Sequence, residues 1–72
     1  MSRWFESRRI EFIIEMLHIY GFINREHLMR KFDISRPQAS KDLSGYLRRS
    51  SGAVWYNPSA KRYEPTSMRR AR

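Results

Sequence analysis

The stretch ISRPQASKDLSGYLRR, residues 34–49, decides the fold. It reads as a helix with a marked start. Ser35 is a good N-cap, because its hydroxyl can accept from an orphan first-turn N–H. Gln38 follows three residues later, where it can reach back to the Ser35 N–H and complete a capping box. Pro37 falls in the first turn, where its missing N–H costs nothing. Ala39, Leu43, Tyr46 and Leu47 share one face at i, i+4, i+7, i+8 spacing. Pro37, Gln38, Lys41, Ser44 and Arg48 share the opposite face, which carries no acidic residue, with Asp42 off to its side. A capped, cationic, hydrogen-bonding face of this kind suits the DNA major groove. An ordinary solvated helix face would carry similar residues, so the flanking sequence has to separate the two.

Upstream, Asn24 caps a second predicted helix, REHLMRKF, with Glu26 near the positive end of its dipole. Leu28 and Phe32 face inward, with Met29 nearby. Asp33 ends this helix, and Ile34 forms the turn and staples against Ala39. Two helices joined by so short a turn read as a helix-turn-helix. Residues 4–20, WFESRRIEFIIEMLHIY, predict a first helix, preceded by a frayed residue 1–3 segment. Ile10, Ile13, Ile14 and Leu17 form one apolar stripe. Phe5, Phe12, Met16 and Ile19 form a second on nearly the opposite side. Gly21 is placed to stop the helix as its C′ residue. Phe22 and Ile23 then form an apolar link, long enough for a one- or two-residue strand.

Downstream, Ser50-Ser51-Gly52 breaks the third helix. AVWY and KRYE are two β-like runs around Asn57-Pro58-Ser59-Ala60, a hairpin signal that Pro65 ends. The expected fold is mainly α with a small β-hairpin: a winged helix-turn-helix of three helices plus a wing. Residues 1–65 form its one domain. Residues 66–72 read as a basic disordered tail, or as the start of a further domain.

Composition bounds the partner. The 72 residues carry 15 Lys plus Arg against 7 Asp plus Glu, a formal charge of +8. Such a balance favours a polyanion, although an acidic protein or a membrane surface would also attract it. A chain of this size buries only ~60% of its unfolded surface. Cysteine is absent, so disulfides and Cys-based zinc sites are excluded and a reducing cytoplasm is expected. No apolar run approaches the ~18 residues of a membrane span, and charged residues interrupt any signal-peptide core. His18 and His27 lie on different helices without a carboxylate cluster, which argues against a metal. Three scattered glycines make no phosphate loop, and nothing marks a nucleophile. The expectation is a non-enzyme without cofactor. Trp55, Tyr56 and Tyr63 are expected to close the hairpin over the helices, rather than stack on bases as in single-strand binders.

Residues 34–63 resemble a DeoR-type winged helix: Ile34-Ser35 opens the helix, Lys41-Asp42-Leu43 follows, then Leu47, Gly52 and a β wing. INREHLM, ISRPQASKDL and YNPSAKRYEPT are similar to the N-terminal domain of regulators that carry a WYL ligand-sensing domain, particularly those beside bacterial anti-phage defence genes. The resemblance implies a cytoplasmic, nucleoid-associated transcriptional regulator, usually a repressor and a dimer. Regulators of that group continue into sensor and dimerisation domains, so this sequence, which stops at Arg72, reads either as a fragment of such a regulator or as a naturally short protein. Where the family has a basic pair before Asp-Leu, this chain has Ser40-Lys41, so its base-reading set differs.

The expected function is sequence-specific binding of double-stranded DNA, with helix 36–49 in the major groove and hairpin 54–64 as the wing. Gln38 and Lys41 are the expected base readers, flanked by Arg36, Pro37 and Ser40. Ser44 and Arg48 are expected at phosphates. Asn57, Ser59, Lys61 and Arg62 would bring the wing to the backbone or minor groove. Backbone N–H groups at the start of the second helix, with Arg25, would meet another phosphate. The stripe Phe5, Phe12, Met16 and Ile19 is the expected homodimer interface. The rival reading is a winged-helix adaptor that uses the same stripe to bind protein.

Overall fold

The computed structural model describes the backbone of residues 2–69 and the side chains of residues 3–67. Helix α1 spans Ser2–Ile19, α2 Arg25–Phe32 and α3 Arg36–Arg49; strands β1 (Val54–Asn57) and β2 (Arg62–Pro65) follow, then the turn of helix α4, Thr66–Arg69. This is the predicted winged helix-turn-helix.

α1 starts earlier than the predicted residue 4, because neither Gly nor Pro interrupts residues 2–4. Met1, part of the segment expected to fray, lies outside the described residues. Gly21 stops the helix as expected. The N–H groups of Tyr20 and Gly21 both return to the Met16 carbonyl, at 2.9 and 3.1 Å, and Gly21, at φ 82°, then turns the chain out of the helix.

α2 carries a full capping box that the sequence reading missed. Asn24 Oδ1 accepts from the His27 N–H at 3.1 Å, and the Asn24 N–H donates to His27 Nδ1 at 3.2 Å. Histidine replaces the Glu or Gln of the usual pattern, so the motif did not stand out. Asp33 then takes the left-handed conformation, φ 55°, and turns the chain into Ser35.

α3 holds half of its predicted box. Ser35 Oγ accepts from the Gln38 N–H at 3.2 Å, but the Gln38 side chain does not return to the cap. Its amide donates instead to Asp42 Oδ1 at 3.0 Å.

The core joins every layer: Ile13 and Leu17 from α1, Ile23 from the link, Leu28 from α2, Ala39 and Leu43 from α3, and Val54 from β1. Ile23 also forms the short strand that was expected. It exchanges two backbone hydrogen bonds with Tyr63, at 3.0 and 2.8 Å, and so ties the wing to the helices. The two-stripe account of α1 needs correction. Phe12 and Met16 do not face away; both are half-buried against the core, and Phe12 meets Phe32 edge-on at 5.7 Å. Ile14, expected inside, is exposed. Residues 12, 13, 16 and 17 lie on one broad arc of the helix, which covers α2 and α3 together.

The hairpin pairs antiparallel, Val54 with Pro65 and Asn57 with Arg62, so both strands sit one residue later than the predicted runs. Asn57 causes the shift. Its Oδ1 accepts from the N–H groups of Ser59 and Ala60, and its carbonyl accepts from Lys61, which turns at φ 58°. Thr66 anchors the far end through its hydroxyl to the Gly52 carbonyl and its N–H to Ala53. Thr66–Arg69, in the segment read as a disordered tail or the start of a further domain, form the turn of α4; residues 70–72 of that segment lie outside the described residues.

Candidate nucleic-acid interface

The outward face of α3 is built by its inward one. Ala39, Asp42 and Leu43 are buried, which leaves Pro37, Lys41, Ser44 and Arg48 exposed on the other side. Lys41 and Arg48 have no carboxylate partner among the four ion pairs of the described residues. Gly45 lies between them on the surface. The face is thus a strip of two cations, a hydroxyl, a proline ring and bare backbone; Gln38, expected on it as well, is half-buried and donates to Asp42.

Two clefts flank the strip. One, about 320 Å³, runs between the starts of α2 and α3 and the wing, lined by Asn24, Arg25, Glu26, Arg36, Ser40, Tyr56, Lys61 and Tyr63. It brings Arg25, Arg36, Ser40 and Lys61 together from three elements. Arg25 donates to Ser40 Oγ at 3.3 Å, which bridges α2 to α3. The capping box satisfies the N–H groups of Asn24 and His27, and Arg25 and Glu26, the first two residues of α2, line this cleft. Glu26 was placed at the helix start for its dipole; here it also pairs with Arg36 at 3.4 Å and so offsets part of the cleft's positive charge. Both groups are exposed, and a pair of that kind is weak.

The second cleft, about 340 Å³, separates α3 from the first half of α1. It holds Gln38, Lys41, Gly45, Arg48 and Arg49 opposite Glu6, Arg9 and Ile10. At its base lies an ion pair that no sequence pattern announced. Arg9 donates through Nε to Asp42 Oδ2 at 2.5 Å and through Nη2 to Oδ1 at 3.2 Å, with both side chains largely buried. The two residues are far apart in sequence, and only the packing of α1 on α3 brings them together.

The wing divides the predicted contacts. Strand side chains alternate in direction, so Tyr56 and Tyr63 share one face while Asn57, Arg62 and Glu64 share the other. Lys61 and Ser59 are exposed at the tip. Asn57 is committed to the turn and donates to Glu64 Oε2 at 3.2 Å. Arg62 donates to the same oxygen at 2.6 Å and stacks over Phe22 at 4.3 Å, on the face away from the first cleft. Both are thus engaged within the protein, whereas Lys61 and Ser59 stand exposed at the tip. Tyr63 packs its ring against Tyr56, 4.9 Å between centroids, and burial pushes its hydroxyl pKa up, as does Tyr56, against the opposing pull of Arg25 and Ser44. It closes the wing over the helices, as expected. Tyr56 stays exposed in the cleft.

His27 is the second partner in the α2 capping box. Burial lowers its pKa and Arg30 adds to the shift, with Glu26 pulling the other way. Among the described residues, no cluster of three or more His, Asp or Glu could hold a metal ion, and no helix is long and apolar enough to cross a membrane.

Comparison with known proteins agrees with this geometry. The family model for the BrxR transcriptional regulator winged helix-turn-helix domain matches residues 6–70. The DNA-binding transcriptional repressor CapW of Escherichia coli strain KTE188 is 42% identical over 67 residues, 93% of this chain and 22% of the relative. The CapW repressor of Stenotrophomonas maltophilia is 42% identical over 64 residues, 89% of this chain and 21% of the relative. That of Pseudomonas aeruginosa is 39% identical over 70 residues, 97% of this chain and 23% of the relative. The chain therefore spans less than a quarter of the length of these relatives.

Proposed function

The chain belongs to the winged helix-turn-helix domain family of BrxR transcriptional regulators, and from that premise we propose that it is the sequence-specific double-stranded DNA-binding domain of a transcriptional repressor. The observation that carries the proposal is the outward strip of α3, where Lys41, Ser44 and Arg48 are exposed and neither cation enters an ion pair among the described residues, beside a cleft that adds Arg25 and Lys61. α3 lies in the major groove, with Lys41 and Gln38 reading base edges and Ser44 and Arg48 on phosphates. Lys61 and the start of α2 with Arg25 clasp the backbone on the wing side. The relatives named as DNA-binding repressors support the same partner and the same sign of regulation. The protein acts by binding, in the cytoplasm on the nucleoid, and a sensor domain following the winged helix would supply the regulatory signal. A homodimer is part of the proposal: Trp4 and Phe5 remain 61% and 53% exposed at the start of α1, and a two-fold pair would match a palindromic site.

The test compares target and scrambled duplexes by fluorescence anisotropy, the target coming from random-sequence selection. Lys41→Ala should lose ~1–3 kcal/mol of discrimination between them. Lys61→Ala should weaken both duplexes about equally. Equal losses on both duplexes for Lys41→Ala would remove α3 from the reading role.

A further inference from the structure

Gln38 was expected to extend freely from α3, yet it is half-buried and tethered. Its partner, Asp42, is only 7% exposed. Arg9 grips that carboxylate through two nitrogens, Nε at 2.5 Å on Oδ2 and Nη2 at 3.2 Å on Oδ1, and the Gln38 Nε2 takes Oδ1 at 3.0 Å. We propose that the Arg9–Asp42 pair fixes the direction of the Gln38 amide, so that the protein presents a hydrogen-bond acceptor to the base at that position and selects an exocyclic amino group. The inference rests on the reading of α3 as the recognition helix, and it specifies what one residue of that helix reads.

The reasoning is one of hydrogen-bond polarity. A glutamine amide is a donor at one end and an acceptor at the other, and in isolation it can present either. An ionised carboxylate accepts only, so the amide must turn its NH2 group toward Asp42. The carbonyl Oε1 then lies at the free end. In the major groove adenine and cytosine offer amino donors, at N6 and N4, while guanine and thymine offer carbonyl acceptors, at O6 and O4. An amide fixed with oxygen outward attracts the first pair and repels the second. Nε2 carries two hydrogens and Asp42 uses one of them. The other stays available for the N7 acceptor beside the adenine amino group, which favours adenine over cytosine. Asp42 and Arg9 are thus positioning residues. Arg9 lies on α1, so part of the base preference is set by a helix outside the helix-turn-helix pair.

Random-sequence duplex selection on the full chain tests this, with wild type, Gln38→Ala, Asp42→Asn and the double variant Gln38→Ala/Asp42→Asn, each first checked for a cooperative thermal transition. Asparagine at 42 can donate as well as accept, so the Gln38 amide is released to turn either way. The position whose preference disappears in Gln38→Ala should hold adenine, or cytosine second, in wild type, by on the order of tenfold or more over the carbonyl bases. In Asp42→Asn that amino-over-carbonyl preference should fall to about twofold or less, while adding Asp42→Asn to Gln38→Ala changes nothing further at that position. Should the unpaired Arg9 unfold Asp42→Asn, Arg9→Met/Asp42→Asn removes the buried cation and carries the same readout. Guanine or thymine at the Gln38-dependent position, or an unchanged preference in either Asp42 variant, overturns the positioning role and leaves α3 as the reader. If Gln38→Ala alters no position at all, the role falls together with Gln38's place in the reading.

Discussion

Ser35 and His27 each hold a helix start, by different chemistry. Ser35→Ala orphans the Gln38 N–H and should cost ~1 kcal/mol, about 4–8 °C of melting temperature in a domain of this size; thermal unfolding followed by circular dichroism measures it. The cost is that of a single cap bond, because the Gln38 side chain is bound to Asp42. His27 makes stability depend on pH. Its Nδ1 must be unprotonated to accept from the Asn24 N–H, and its folded pKa lies below the ordinary 6.5. The unfolded chain therefore takes the proton first, so this contribution is full above 6.5 and is lost as pH falls through the lower folded value. Urea midpoints of wild type should drop over that window more than those of His27→Gln; parallel curves would mean that the box does not titrate. Ser35 was readable as a cap from its residue type and neighbours. The His27 box was not, since histidine at N3 serves as an acceptor only in the right tautomer and rotamer.

α3 contains a glycine that its conformation does not require. Gly45 is mid-helix with no positive φ, and a Cβ there would meet only the Arg48 guanidinium, 4.0 Å away. Gly45→Ala should therefore stabilise the domain by ~0.5–1 kcal/mol. The same methyl would stand on the strip proposed to enter the groove, so DNA affinity should fall while the melting temperature rises. Melts and anisotropy on one preparation would separate the two effects, and unchanged affinity would move the DNA away from this face. The other elements show how far periodicity reaches. The α3 faces were legible because its apolar and polar residues segregate cleanly. α1 was not, because apolar residues surround it and helical spacing alone cannot choose which arc is covered. The packing of α2 and α3 chose residues 12, 13, 16 and 17 and left Ile14 outside.

The net charge of +8 acts on the molecule as a unit. The proposed phosphate contacts, from Arg25 with the α2 start, Ser44, Arg48 and Lys61, include three cations, Arg25, Arg48 and Lys61. The binding constant should then fall with salt at a log–log slope near −3 per chain, and Lys61→Ala should lower its magnitude by ~1. A flat salt response would favour the adaptor reading. Self-association should respond the other way, because like charge opposes it and salt screens that repulsion. Trp4 and Phe5 meet edge-on at 4.9 Å near the start of α1. Phe12 packs on Phe32, so Phe12→Asp would injure the core and Phe5→Asp is the informative variant. In sedimentation the wild type should dimerise more tightly at high salt, and Phe5→Asp should remain monomeric. A wild type that stays monomeric at high salt would remove the α1 dimer.

Local chemistry alone determined the element order, both cap positions Asn24 and Ser35, the stop at Gly21, the wing and the cationic strip of α3. Each depends on residues within a few positions of one another, where caps, breakers and periodicity operate. Contacts between elements distant in the chain had to be supplied by the folded packing. They comprise the Ile23–Tyr63 bridge, the cleft that gathers Arg25, Ser40 and Lys61, the burial of Phe12 and Met16, and the Arg9–Asp42 pair beneath Gln38. Arg9 reads as one more surface cation in a basic chain and Asp42 as a helix-flank acid. Their meeting depends on how α1 crosses α3, which is set by the joint burial of the whole core and by no short window of sequence.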